Sequence, residues 1–216
     1  MTLKETAAGV FAEECAKRAP SNMSGDAAAL CAALALSLGG GAEQPKLTTM
    51  KFGGAQPDDG ESAPRERCSE LSARFFELAD ADAEAERAVM LAIRKPAMLP
   101  GEREEKAKRV LEAQCAAGNV TLNLMRAAGE AAEIMMSRAG SESDLARAGA
   151  SAGLALCAGA IRALEAEAYA RAARITDTTR SQSIARSAEV LCEKYAPAAE
   201  ETQRKLSDEM RAAVSG

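Results

Sequence analysis

Alanine supplies 51 of the 216 residues, against six valines and five isoleucines. Alanine is the strongest helix former, whereas strands draw on β-branched and aromatic side chains, and aromatics make up only 3% of this chain with no Trp. The chain is therefore expected to be all-α: a single-domain bundle of about six to seven helices over residues 1–216. A hydrophobic fraction of 47% is enough for one core and argues against disorder.

Histidine is absent. Ser/His/Asp and Cys/His catalysis, His-ligated metals and imidazole proton transfer are thereby excluded. Any proton chemistry rests on carboxylates, lysines, tyrosines or thiols. The net charge of −5, with basic residues interspersed among acids, argues against nucleic acid as a partner. Six cysteines, Cys15, Cys31, Cys68, Cys115, Cys157 and Cys192, are evenly spread without a CxxC pair, which reads as buried free thiols in a reducing cytoplasm. The start, Met1-Thr2-Leu3-Lys4-Glu5, carries no signal-peptide pattern. The apolar runs Ala27–Ala42 and Ala148–Ile161 fall short of the ~20 residues that span a membrane and read as core helices. Neither a membrane nor a metal is expected.

Caps and stripes divide the chain. Helices are expected over Leu3 to Arg18, from Ser24-Gly25-Asp26 to Leu38, and from Arg65 to Arg94. Others follow from Glu102 to Arg138, with Gly118-Asn119 as a kink, from Asp144 to Ile175, from Asp177 to Tyr195 and from Pro197 to Val214. Residues 39–64, rich in Gly, Pro, Asp and Thr, read as a long irregular loop. Gly149 and Gly153, followed by Cys157 and Ala160, form a small-residue face suited to the close-packed centre of a bundle, or to a seam with a second copy. In the third helix Leu71, Phe75, Leu78, Ala85, Val89 and Ala92 make an apolar stripe interrupted by Asp82. A carboxylate there is either paired or used, or the helix turns enough to bring it to the rim. Asp26 and Asp144 suit helix starts, and Glu167 with Arg171 has the spacing of a surface ion pair.

The order of segments resembles the cyclodeaminase/cyclohydrolase family, which includes the carboxy-terminal domain of formiminotransferase-cyclodeaminase and stand-alone methenyltetrahydrofolate cyclohydrolases. Glu77-Leu78-Ala79-Asp80-Ala81-Asp82-Ala83, Val89-Met90, Arg94-Lys95-Pro96 and Gly101-Glu102-Arg103-Glu104-Glu105-Lys106 are similar to its acidic helix and the helix start that follows. Ser143-Asp144, Ile175-Thr176-Asp177, Ala28-Ala29-Leu30 and Ala32-Ala33-Leu34 extend the likeness. The chain departs from the family where Asn22-Met23-Ser24-Gly25-Asp26 replaces Pro-Gly-Gly-Gly-Ser. It departs again where Glu167 and Arg171 replace two asparagines, and where Lys51-Phe52 is all that stands for a basic-aromatic patch.

The resemblance implies a homodimeric one-carbon folate enzyme, a cyclohydrolase or cyclodeaminase. Its substrate is a tetrahydrofolate derivative, and it needs no cofactor. It implies Asp82 as general acid/base and Asp144 as a group that orients substrate or polarises water. Ser24, Gly25, Asp26, Lys51, Arg94, Glu167 and Arg171 would contact substrate, with Arg94 or Lys51 on its glutamate tail. The departures leave two alternatives open: a non-catalytic helical paralogue serving as a binding or assembly module, or the same fold with another substrate.

Overall fold

The computed structural model describes residues 24–41, 62–141 and 143–215. These form five helices: α1 (Ser24–Gly41), α2 (Ser62–Arg94), α3 (Pro100–Arg138), α4 (Asp144–Ala172) and α5 (Thr178–Ser215). No strand occurs among the described residues. No described helix is long and apolar enough to cross a membrane. The helix expected over Leu3 to Arg18 and most of the loop expected over 39–64 lie outside the described residues.

Local chemistry sets the boundaries. Pro100 opens α3, and the Glu102 carboxylate reaches back to accept the Met98 and Leu99 amides at 2.9 and 3.1 Å. Those two bonds hold Glu102 below the usual carboxylate range. Ser143 caps α4 by accepting the Ala146 amide. Gly118-Asn119 does not break the helix. α3 runs through unbroken, and a Cβ at Gly118 would stand 2.6 Å from Ile184 Cδ1 of α5, so the glycine provides room for a neighbour instead.

The two closing helices expected either side of Pro197 are one helix, with Pro197 inside it. An interior proline removes one backbone hydrogen bond and costs about 3 kcal/mol. Here its ring lies on the exposed side, while Tyr195, Ala196 and Ala199 are buried against the bundle. That burial outweighs the lost bond.

α4 is the central helix and packs against α1, α3 and α5, while α2 lies on α1 and α3. α4 and α5 are antiparallel: Arg147 pairs with Glu209, Ser151 meets Ser207, and Arg162 holds Glu200 with bonds of 2.7 and 2.9 Å. Between α1 and α4 the packing is built from small residues. Ala28, Ala29, Ala32, Ala33 and Ala35 are buried, and a Cβ at Gly153 would lie 3.1 Å from the Ala35 carbonyl and 2.8 Å from Met135 Sδ. The small-residue face is thus used within the chain, where its glycine admits the backbone of α1.

Candidate functional site

Asp82 sits midway along α2 on the stripe that faces α1, α3 and α4, and it is 2% exposed. The rim alternative therefore fails: the helix does not rotate Asp82 outward. Its charge is met from α4, where Arg171 Nη1 donates to Asp82 Oδ1 at 2.7 Å and Nη2 donates to Oδ2 at 2.9 Å. Nη1 also donates to the Ala117 carbonyl of α3 at 2.8 Å, and Nη2 lies 2.6 Å from Glu167 Oε1, one turn earlier on α4. The Glu167–Arg171 pair, expected on the surface, is buried, at 6% and 4% exposure. Its position could have been read from the buried face of α4, because Ile161, Leu164, Ala168, Arg171 and Ile175 continue one helical stripe.

The fourth wall is the start of α1. Gly25 is buried, and a Cβ there would stand 2.8 Å from Asp82 Oδ2 and 3.4 Å from Glu167 Oε2. Only hydrogen in place of a side chain lets the α1 backbone rest on both carboxylates. Three segments distant in sequence, around residues 25, 82 and 167–171, thus meet at one buried cluster.

A buried ion pair is stable only when its hydrogen-bonding capacity is well met. Arg171 is shared between two carboxylates, so neither receives its full countercharge. For Asp82, burial is the largest influence and raises the carboxyl above its ordinary range; Arg171 opposes that rise, and Glu86 adds to it. Burial pulls Arg171 down, but Asp82 and Glu167 raise it further, so it stays cationic. The arrangement holds a proton-accepting carboxylate in a dry site beside a fixed cation. The buried Arg171 Nε has no hydrogen-bond partner. Arg171 lines a cavity of about 10 Å³ with Glu86, Val89, Gln114, Ala117 and Arg174, room for about one water.

The other expected site residues lie elsewhere. Asp144 opens α4, with a side chain 92% exposed and an ion pair to Arg147 at 3.9 Å. It precedes Glu167 by 23 residues on one helix, about 35 Å at 1.5 Å per residue. Asp82 and Asp144 therefore do not share a site within one chain. Arg94 is exposed at the end of α2, about 18 Å along the helix from Asp82. Asp26 is half-buried in the first turn of α1. Ser24 begins that helix, and Lys51 lies outside the described residues. No group of three or more metal-binding side chains occurs among the described residues.

The formiminotransferase-cyclodeaminase family profile matches residues 7–190, a span that contains the whole cluster. The chain belongs to this family. Its fold is similar to the crystal structure of formiminotetrahydrofolate cyclodeaminase from Thermotoga maritima, with a TM-score of 0.75 at 18% identity over 96% of this chain and 98% of that one. No curated protein matches. The matched span takes in all three converging segments.

Proposed function

We propose that the chain acts on a one-carbon tetrahydrofolate derivative, as a methenyltetrahydrofolate cyclohydrolase or a formiminotetrahydrofolate cyclodeaminase, with Asp82 handling the proton. The observation that carries this reading is the seat of Gly25 on Asp82 and Glu167: the only glycine of the family's loop that this chain keeps is the one pressed on the carboxylates.

The two reactions share one requirement. In hydrolysis, water attacks the amidinium carbon of the methenyl group, a C–O bond forms and the water gives up a proton. The C–N bond to one ring nitrogen then breaks as that nitrogen takes a proton, leaving the formyl product. In cyclisation, the neighbouring exocyclic amine nitrogen attacks the formimino carbon and gives up its proton, and the C–N bond to the former imino nitrogen breaks as that nitrogen is protonated and leaves as ammonia. Both start from a cationic carbon and need one group that takes and returns a proton. A carboxyl whose affinity for protons is raised by burial suits that role, and its anionic form stabilises the cation. Arg171 fixes the orientation of Asp82, and Glu167 adds negative charge beside it. Asp144 has no part in this site within one chain. The reading includes a homodimer, tested by light scattering on the purified protein.

The deciding measurement follows methenyltetrahydrofolate absorbance with wild type and Asp82→Asn. Acceleration over the uncatalysed rate that is lost in the variant supports the reading. No acceleration, together with no folate-induced rise in melting temperature, favours a helical paralogue without turnover.

A further inference from the structure

Arg171 carries one donor that the cluster does not use. Nη1 and Nη2 are committed to Asp82, Glu167 and the Ala117 carbonyl. Nε, on a side chain only 4% exposed, has no hydrogen-bond partner among the described residues. A buried donor on a charged group is costly to leave unmet, so a partner outside the side chains of the cluster is called for.

The space beside it fits one. The cavity of about 10 Å³ has the volume of a single water, and it is bordered by Arg171, the Gln114 amide and the Glu86 carboxylate. Charge argues against an anion there. Arg171 is met by Asp82 and Glu167, and Arg174, the other cation on the wall, pairs with Glu86 at 3.5 Å. A neutral molecule that both accepts and donates is what these groups suit.

Glu86 stands one turn after Asp82 on α2, a spacing that sets the two Cβ atoms about 5–6 Å apart. Its side chain is 24% exposed, so it joins the buried cluster to the surface. The other charged groups around Asp82 are Arg171 and Glu167 of α4, with Arg174 just beyond that helix. α3 offers the Ala117 carbonyl, and α1 offers the Gly25 backbone with Asp26 next to it.

We propose that one fixed water occupies this cavity, accepting from Arg171 Nε and donating to Glu86, and that Glu86 is thereby a positioning residue that holds the guanidinium through its third nitrogen. The negative charge of Glu86 also favours the protonated form of Asp82, adding to the effect of burial. The consequence for turnover rests on the reading of Asp82 as the proton carrier. The water and the Asp82 titration are measured without substrate, so a failed folate reaction leaves both standing, and their failure leaves the reaction standing.

NMR of the full chain with labelled arginine and aspartate tests it. The Arg171 Nε proton is expected to show a cross-peak to a long-lived water. Val89, 4% exposed, lines the cavity, and Val89→Ile adds a methylene there. Displacing a bound water strands the donor, so the cross-peak should vanish and the melting temperature fall by roughly 2–8 °C. Filling an empty cavity would raise the melting temperature instead. Val190→Ile, the same change at an exposed position of α5, is expected to stay within about 2 °C of wild type. The titration midpoint of Asp82 should fall by about half a pH unit or more in Glu86→Gln and rise in Arg174→Gln, opposite signs that a general loosening does not produce. A wild type without the water cross-peak, a raised melting temperature in Val89→Ile, or an Asp82 midpoint that Glu86→Gln leaves in place overturns the proposal.

Discussion

The Cβ position of Gly25 lies 2.8 Å from Asp82 Oδ2, closer than a real Cβ atom approaches a neighbour it is not bonded to. The start of α1 and the middle of α2, 57 residues apart, are therefore fixed to each other by the absence of one methyl group. Gly25→Ala is expected to destabilise the fold by about 1–3 kcal/mol, as overpacking does. Gly159→Ala is the control: nothing lies within 4 Å of its Cβ position, and the helix gains up to about 1 kcal/mol from alanine. Urea midpoints moving in opposite directions would bear this out; equal shifts would not.

Asp82 gives a sign to the pH dependence of stability. Its folded-state carboxyl is raised above its ordinary 3.8, chiefly by burial, against the opposing effect of Arg171. Between 3.8 and the folded value the folded state binds more protons than the unfolded one. The Asp82 contribution is thus fully present below 3.8 and is lost as pH rises through the folded value. The difference in unfolding free energy between wild type and Asp82→Asn should fall along that interval. A difference that grows with pH would show that Arg171 outweighs burial.

Arg171 holds two buried carboxylates at once, so Arg171→Met leaves both without the guanidinium. A loss of about 3–5 kcal/mol is expected, with part recovered in the double variant Arg171→Met, Asp82→Leu, where one buried charge is removed along with its partner. Denaturation of the two single variants and the double variant closes the cycle. An additive double variant would mean that the two residues do not act as a pair.

Pro197 interrupts the hydrogen bonding of α5 without ending the helix. Pro197→Ala is expected to raise stability by up to about 3 kcal/mol, because it restores a bond and places a strong helix former at an exposed position. A drop in melting temperature would show that the proline sets a bend the packing of Tyr195 requires.

Cys157 lies in the centre of α4 with no exposure, and burial, aided by Cys31, pushes its thiol up to about 12. At pH 8 it should stay unmodified by a thiol reagent in the native protein and react after denaturation. Mass mapping of the modified cysteines reads this out. Native reaction at the denatured rate would show that α4 opens.

By itself the sequence determined the helical class, the helix starts at Glu102 and Asp144, the centre around Gly153 and the special standing of Asp82, because each is a local matter of propensity, periodicity or end chemistry. Family likeness could be read from the same segments. Tertiary structure alone decided what surrounds Asp82. Glu167 and Arg171 have the spacing of an ordinary surface pair; the apolar stripe through Leu164, Ala168 and Arg171 marks the buried side of α4, but that Arg171 meets Asp82 and Ala117 there follows only from the packing of α4 on α2 and α3. Asp144 suits a helix start and joins Asp82 in one site only through the family resemblance, and a rigid helix of about 1.5 Å per residue carries it far from the cluster. Pro197 looked like a boundary because the local cost is plain in sequence, whereas the burial of Tyr195, Ala196 and Ala199 that offsets it exists only once the bundle has formed. The alanines made the helices; which faces they close upon is set by long-range packing, and that packing built the site.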